Sequence, residues 1–108
     1  MSRPTDAGAT RDRTALDDAL ARWEPSTGLD PAVTRAQTRR AAEYLATTDE
    51  RLGRADLIDA LADGSTLTAA SWWGRAAAPG LGRLTEAGLV DYRALDHTYR
   101  WVGGEVEP

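Results

Sequence analysis

The chain has 108 residues, enough for one domain with a single modest core. It contains no cysteine and one histidine, His97, which excludes a disulfide framework, a thiolate nucleophile and a Cys/His zinc site. Seventeen acidic residues outweigh thirteen basic ones for a net charge of −4, and every basic residue is Arg.

Residues 1–13 are polar and without periodicity, and read as a disordered tail. From Thr14 the pattern turns helical. Thr14 followed by Asp17 imitates a capping box, and Leu16, Ala19, Leu20 and Trp23 fall at i, i+3, i+4 and i+7. Glu24 to Asp30 is a break. Asp30-Pro31 then supplies an N-cap and an N1 proline for a second helix reaching about Thr47. Its apolar face is thin: Val33, Ala36, Ala41, Tyr44 and Leu45. Arg35, Arg39 and Arg40 form a basic cluster on it, read with Glu43 as a solvated face.

A third helix starts after Gly53. Leu52 before the cap and Leu57 after it have staple spacing, and Leu57, Ile58, Leu61 and Ala62 form its stripe. Asp63-Gly64 ends it, and Thr66-Leu67 reads as a short strand. Thr68 caps a fourth helix, residues 69–77, that carries Trp72, Trp73 and Ala76. Pro79 disfavours helical backbone at Ala78, so a break is predicted there, with Pro79 opening a fifth helix to Ala87. Gly88 stands where a helix ends in a left-handed residue, and Leu89 where it packs back onto Leu84. Two β-rich runs around Ala94-Leu95-Asp96-His97 complete a hairpin.

The phrases Leu67-Thr68-Ala-Ala-Ser-Trp72 and Leu81-Gly-Arg-Leu84-Thr-Glu-Ala-Gly88-Leu89-Val90, with the hairpin after them, resemble the winged helix-turn-helix DNA-binding superfamily, in its small archaeal and bacterial regulators. The resemblance covers roughly residues 54–102. It implies a mainly α fold with a small β-hairpin, in which a winged helix domain (residues 48–103) follows a helical extension (14–47) and precedes a short tail (104–108). It further implies a transcriptional regulator that holds double-stranded DNA through the helix Pro79 to Ala87 and the hairpin, or "wing". Arg75, Arg83, Arg93 and Arg100 are then the DNA-contact candidates. A helical extension of this kind implies a homodimer, with Leu16, Leu20, Trp23 and Trp73 as interface candidates.

Individual residues leave alternatives open. The surface Ala78, Pro79, Gly80, Gly82 and Arg83 offers few groups that hydrogen-bond to bases, and only Arg83 can fork onto a guanine. A winged-helix protein-interaction module without DNA binding is therefore the second reading. Trp72 reads as core; Trp73 reads either as half-buried packing or as a partner anchor, and Trp23 shares the ambiguity. Arg93 and Arg100 either meet phosphates or pair with Asp91 and Asp96 across the hairpin. Tyr99 and Trp101 form its core-facing side, and His97 reads as a turn residue.

No Ser/His/acid set, paired carboxylates or phosphate loop stands out, and Gly80-Leu-Gly82 lacks both the length and the Lys of such a loop. No enzyme activity, cofactor or metal is expected. No apolar run nears the ~18 residues of a membrane span and no signal peptide opens the chain, so a soluble cytoplasmic protein is expected. High-GC coding accounts for the Arg, Ala and Gly usage. An acidic surface without Lys also suits a halophilic cytoplasm, where the Debye length is ~3 Å and only contact-range charge acts.

Overall fold

A computed structural model describes residues 15–48, 50–65 and 67–103. The fold is mainly helical with a small three-stranded antiparallel sheet. Among the described residues no helix is long and apolar enough to cross a membrane. The predicted cap at Thr14 and the two predicted tails lie outside the described residues.

Helix α1 spans residues 15–21. Helix α2, Pro31–Ala46, opens as its sequence dictates, with the Asp30 carboxylate accepting the Ala32 amide at 2.8 Å. Its buried side is Thr34, Thr38, Ala41, Ala42 and Leu45, which keeps only Ala41 and Leu45 of the predicted stripe. Val33, Ala36 and Tyr44 are exposed. The reason is chemical: both threonines bury because their hydroxyls find hydrogen-bond partners. Thr34 Oγ1 meets Thr27 Oγ1 at 3.3 Å, and Thr38 Oγ1 donates to the Ala76 carbonyl at 3.3 Å.

Strand β1, Leu52–Gly53, leads straight into α3, Arg54–Leu61. Asp56 accepts the Gly53 amide at 3.0 Å, and Leu52 and Leu57 both join the core, as the staple spacing requires. A short 3-10 turn, Ala62–Gly64, ends the helix. Of the predicted strand at Thr66-Leu67, Leu67 belongs to a bend and Thr66 lies outside the described residues. The first strand is instead Leu52–Gly53, on the other side of α3.

The second correction is larger. No break occurs at Ala78. Thr68 caps α4, Ala69–Ser71, by accepting the Ser71 amide at 3.2 Å. A π-helical segment, Trp72–Ala77, follows directly and passes into α5, Ala78–Glu86. The result is one continuous helix over residues 69–86. Pro79 lacks an amide hydrogen, and its ring would strike the Arg75 carbonyl in a regular helix. The coil widens instead, and the Ala78 amide donates to the Trp73 carbonyl five residues back. Packing against α2 holds this arrangement. Trp72, Ala76, Ala77, Gly80, Leu81 and Leu84 are all buried, and the Trp72 indole donates to Gln37 Oε1 at 3.0 Å. Gly80 marks the close approach, since a Cβ there would lie 1.8 Å from Thr38 Oγ1.

The long helix stops as predicted. Gly88 has φ +80°, its amide bonds to the Thr85 carbonyl at 3.1 Å, and the Leu89 amide bonds to the Leu84 carbonyl at 2.9 Å. These are the two hydrogen bonds of a Schellman ending. Strands β2, Val90–Arg93, and β3, Thr98–Trp101, then pair as a hairpin around the turn 94–97. β1 pairs with the other edge of β3, giving the order β1-β3-β2. Leu16, Ala19 and Leu20 of α1 complete the same core as α2, α3, the long helix, Leu89 and Val90.

Candidate nucleic-acid interface

The helix 69–86 has three sides. One packs on α2. A second carries Trp73, whose ring meets Tyr99 of the sheet edge-on at 5.9 Å between centroids. The third faces the segment between α1 and α2: Arg75 reaches towards Gly28, and Pro79, Gly82, Arg83 and Glu86 line a groove of about 400 Å³ with Trp23, Ser26 and Thr27. Its beginning, Thr68, Ala69, Ala70, Gly74 and Arg75, is open to solvent, as are Gly82 and Glu86 further along.

This geometry relocates the predicted contact surface. Of its members, Gly80 is buried against Thr38, Ala78 and Pro79 are half-buried, and only Gly82 is exposed. Arg83 is half-buried, lies 3.9 Å from Glu86, and has an Nε that is buried without a hydrogen-bond partner. It lies two helical turns beyond Arg75, about 12 Å along the axis. Arg75 is exposed and forms no ion pair among the described residues. The helix start is the better-presented surface; the sequence named Arg75 there, but reading the proline as a boundary put the contact helix at Pro79–Ala87 instead.

The hairpin presents its own arginines. Tyr92 and Tyr99 sit opposite each other with ring centroids 4.9 Å apart, on the face that also carries Trp101 and Val90. Burial, reinforced by Tyr92, pushes the Tyr99 phenol above its usual range. Asp91, Arg93, Thr98 and Arg100 alternate onto the opposite, outer face. There Asp91 pairs with Arg51, which stands just before β1. Arg93 forks onto Asp96, Nε donating at 3.0 Å and a terminal nitrogen to the second oxygen. That contact and a 2.7 Å hydrogen bond from Thr98 Oγ1 hold the Asp96 carboxyl well below the usual range. Arg93 is therefore engaged within the turn, as the cross-strand alternative anticipated in kind. Arg100 is exposed and makes no ion pair among the described residues. The four arginines do not converge: Arg75 and Arg83 share a helix face, while Arg93 and Arg100 point away from the sheet face that meets that helix.

His97 is a turn residue, with φ +54° and Nδ1 2.5 Å from the Tyr92 hydroxyl. The α2 arginines are more than a solvated face. Arg35 donates to the carbonyls of Leu20 (3.0 Å) and Trp23 (2.8 Å), closing the end of α1. Arg40 bridges Gln37 and the Leu61 carbonyl (3.1 Å) at the end of α3, and Arg39 pairs with Asp17. Among the interface candidates, Leu16 and Leu20 are 6% and 2% exposed and fill the chain's own core, so neither offers a side chain to a second copy. Trp23 and Trp73 are half-buried against that core. Comparison with family models, curated proteins and solved structures returns no match for this chain.

Proposed function

We propose that the chain is a winged helix protein that binds double-stranded DNA, acting as a small regulator and not as an enzyme. One observation carries the reading. Helix α3, the 3-10 turn Ala62–Gly64 and the long helix follow one another in the order of a helix-turn-helix, and the hairpin after them is joined at its far edge by the strand before α3. In this reading the long helix enters the major groove by its open start. Thr68, Ser71 and Arg75 then face the DNA, in place of the predicted helix Pro79–Ala87. Arg100 meets a phosphate from the outer face of the hairpin, while Arg93 holds the turn in shape.

The negative net charge does not oppose this, because affinity depends on the few cations at contact range and on salt. The test is a fluorescence-polarisation titration of labelled duplex fragments at ~50 mM salt, where phosphate attraction is strong, and again at molar salt. Replacing Arg75 and Arg100 by Ala should weaken binding and flatten its salt dependence, since the slope counts neutralised phosphates. Absence of duplex binding at ~50 mM salt would refute it. The second reading, a protein-interaction module, draws on the half-exposed row Trp73, Tyr99 and Tyr92. It predicts that Trp73→Ala abolishes partner binding while the fold persists.

A further inference from the structure

We propose that Leu95 at the hairpin apex is a wedge that enters the minor groove of a duplex and unstacks a base step; this rests on the duplex-binding reading above. Leu95 is 90% exposed, the most exposed of the large apolar side chains among the described residues. A single exposed leucine is ordinary in itself. This one stands on a four-residue turn locked from three directions: Arg93 forks onto Asp96, Thr98 donates to Asp96, and the Tyr92 hydroxyl meets His97 in its left-handed conformation. These contacts fix the apex without covering it. The ordering that insertion would otherwise require is already in place.

The charges around the apex favour a nucleic acid over an apolar protein pocket. The hairpin's two acids are each neutralised, Asp91 by Arg51 and Asp96 by Arg93. Arg100 makes no ion pair among the described residues; it stands on the outer face opposite Asp91, whose carboxylate pairs with Arg51, two ladder positions behind the Arg93–Thr98 pair, or about 7 Å. An apolar tip with a cation set back behind it suits a narrow groove walled by phosphates. The minor groove, ≈6 Å wide, admits such an apex and excludes a helix. Apolar side chains inserted between base steps are a recurrent minor-groove device.

The experiment uses the full chain and an alternating A·T duplex with 2-aminopurine at one TpA step, the kind most easily unstacked. Binding by the wild type should raise 2-aminopurine fluorescence. Leu95→Ala and Leu95→Gln should melt like the wild type, bind several-fold more weakly and lose the fluorescence rise at saturation, while Leu95→Met should keep it. Arg100→Ala should weaken binding yet leave the rise at saturation intact. A wild type that binds without a rise, or a Leu95→Ala protein that retains it, overturns the wedge and leaves duplex binding standing. A wild type that does not bind overturns both.

Discussion

Gly80 and Gly82 lie two residues apart on one helix, and alanine should move stability in opposite directions at them. A Cβ on Gly80 would meet Thr38 Oγ1 at 1.8 Å, Cγ2 at 2.4 Å and Cβ at 2.6 Å, where ordinary contacts begin near ~3.5 Å. Turning the Thr38 side chain cannot clear its own Cβ, so α2 and the long helix must separate. Overpacking of this kind costs about 1–3 kcal/mol. Losing the buried hydrogen bond from Thr38 to the Ala76 carbonyl adds about 1 kcal/mol, and the better helix propensity of alanine returns about 1 kcal/mol. The net is a loss of about 2 kcal/mol, or roughly 8–16 °C in Tm for a domain of this size. Around Gly82 nothing lies within 4 Å of the added Cβ, so only the propensity gain remains, a rise of a few degrees. Thermal and urea melts followed by far-UV circular dichroism read both variants. Thr38→Gly in the Gly80→Ala background should recover part of the loss. Shifts of the same sign at both glycines would refute the close helix crossing.

Three further outcomes can be checked. Gly88→Val should destabilise by more than about 1 kcal/mol through backbone strain alone, because φ is +80° and no atom crowds its Cβ position; Gly88→Asn should recover most of that in the same melts. The Asp96 carboxyl, depressed by Arg93 and Thr98, should add stability that is present above the ordinary carboxylate range. That contribution should fade as pH falls through its lowered pKa, while Asp96→Asn shows no such dependence; side-chain NMR titration gives the midpoint. Arg35→Ala should release the end of α1 at a loss of about 1–2 kcal/mol, and native-state hydrogen exchange should show residues 15–21 opening before the rest.

What could be read from the residues was chiefly the ends of elements. Asp30-Pro31, Gly53 and Thr68 start helices where their side chains or backbone freedom predict, and Gly88-Leu89 stops one. These are local rules, satisfied by atoms a few residues apart. Most of the failures required distant partners. Pro79 argues locally for a break, and packing of Trp72, Ala76 and Leu81 on α2 overrides it by widening the coil. Thr34 and Thr38 are invisible to a count of apolar positions, because their burial depends on hydroxyl partners. β1 is too short to show alternation and exists only through its pairing with Tyr99 and Thr98. The contact surface inherited the misplaced break: a recognition helix begun at Pro79 drew attention to Gly80, which is a packing site, and away from Thr68 and Ser71, although Arg75 was named. Arg93 is the instructive middle case, since its acidic neighbours were visible but its choice of Asp96 over Asp91 was not.

The π-helical segment also decides which of two adjacent tryptophans is inside. In a regular coil the residue four before Ala77 is Trp73; the wider turn brings Trp72 to that seam instead and leaves Trp73 beside Tyr99. One extra residue is thus lodged in the helix and absorbed by the wider turn. Removing a residue at exposed Gly74 would restore regular winding at about 100° per residue, and because the wide coil turns less per residue, Ala69, Ala70 and Ser71 would keep nearly their present direction relative to Leu81 and Leu84. The loss would fall on the proline instead: in the regular coil its ring would meet the Arg75 carbonyl, so the surplus residue is what lets an unbroken helix carry Pro79.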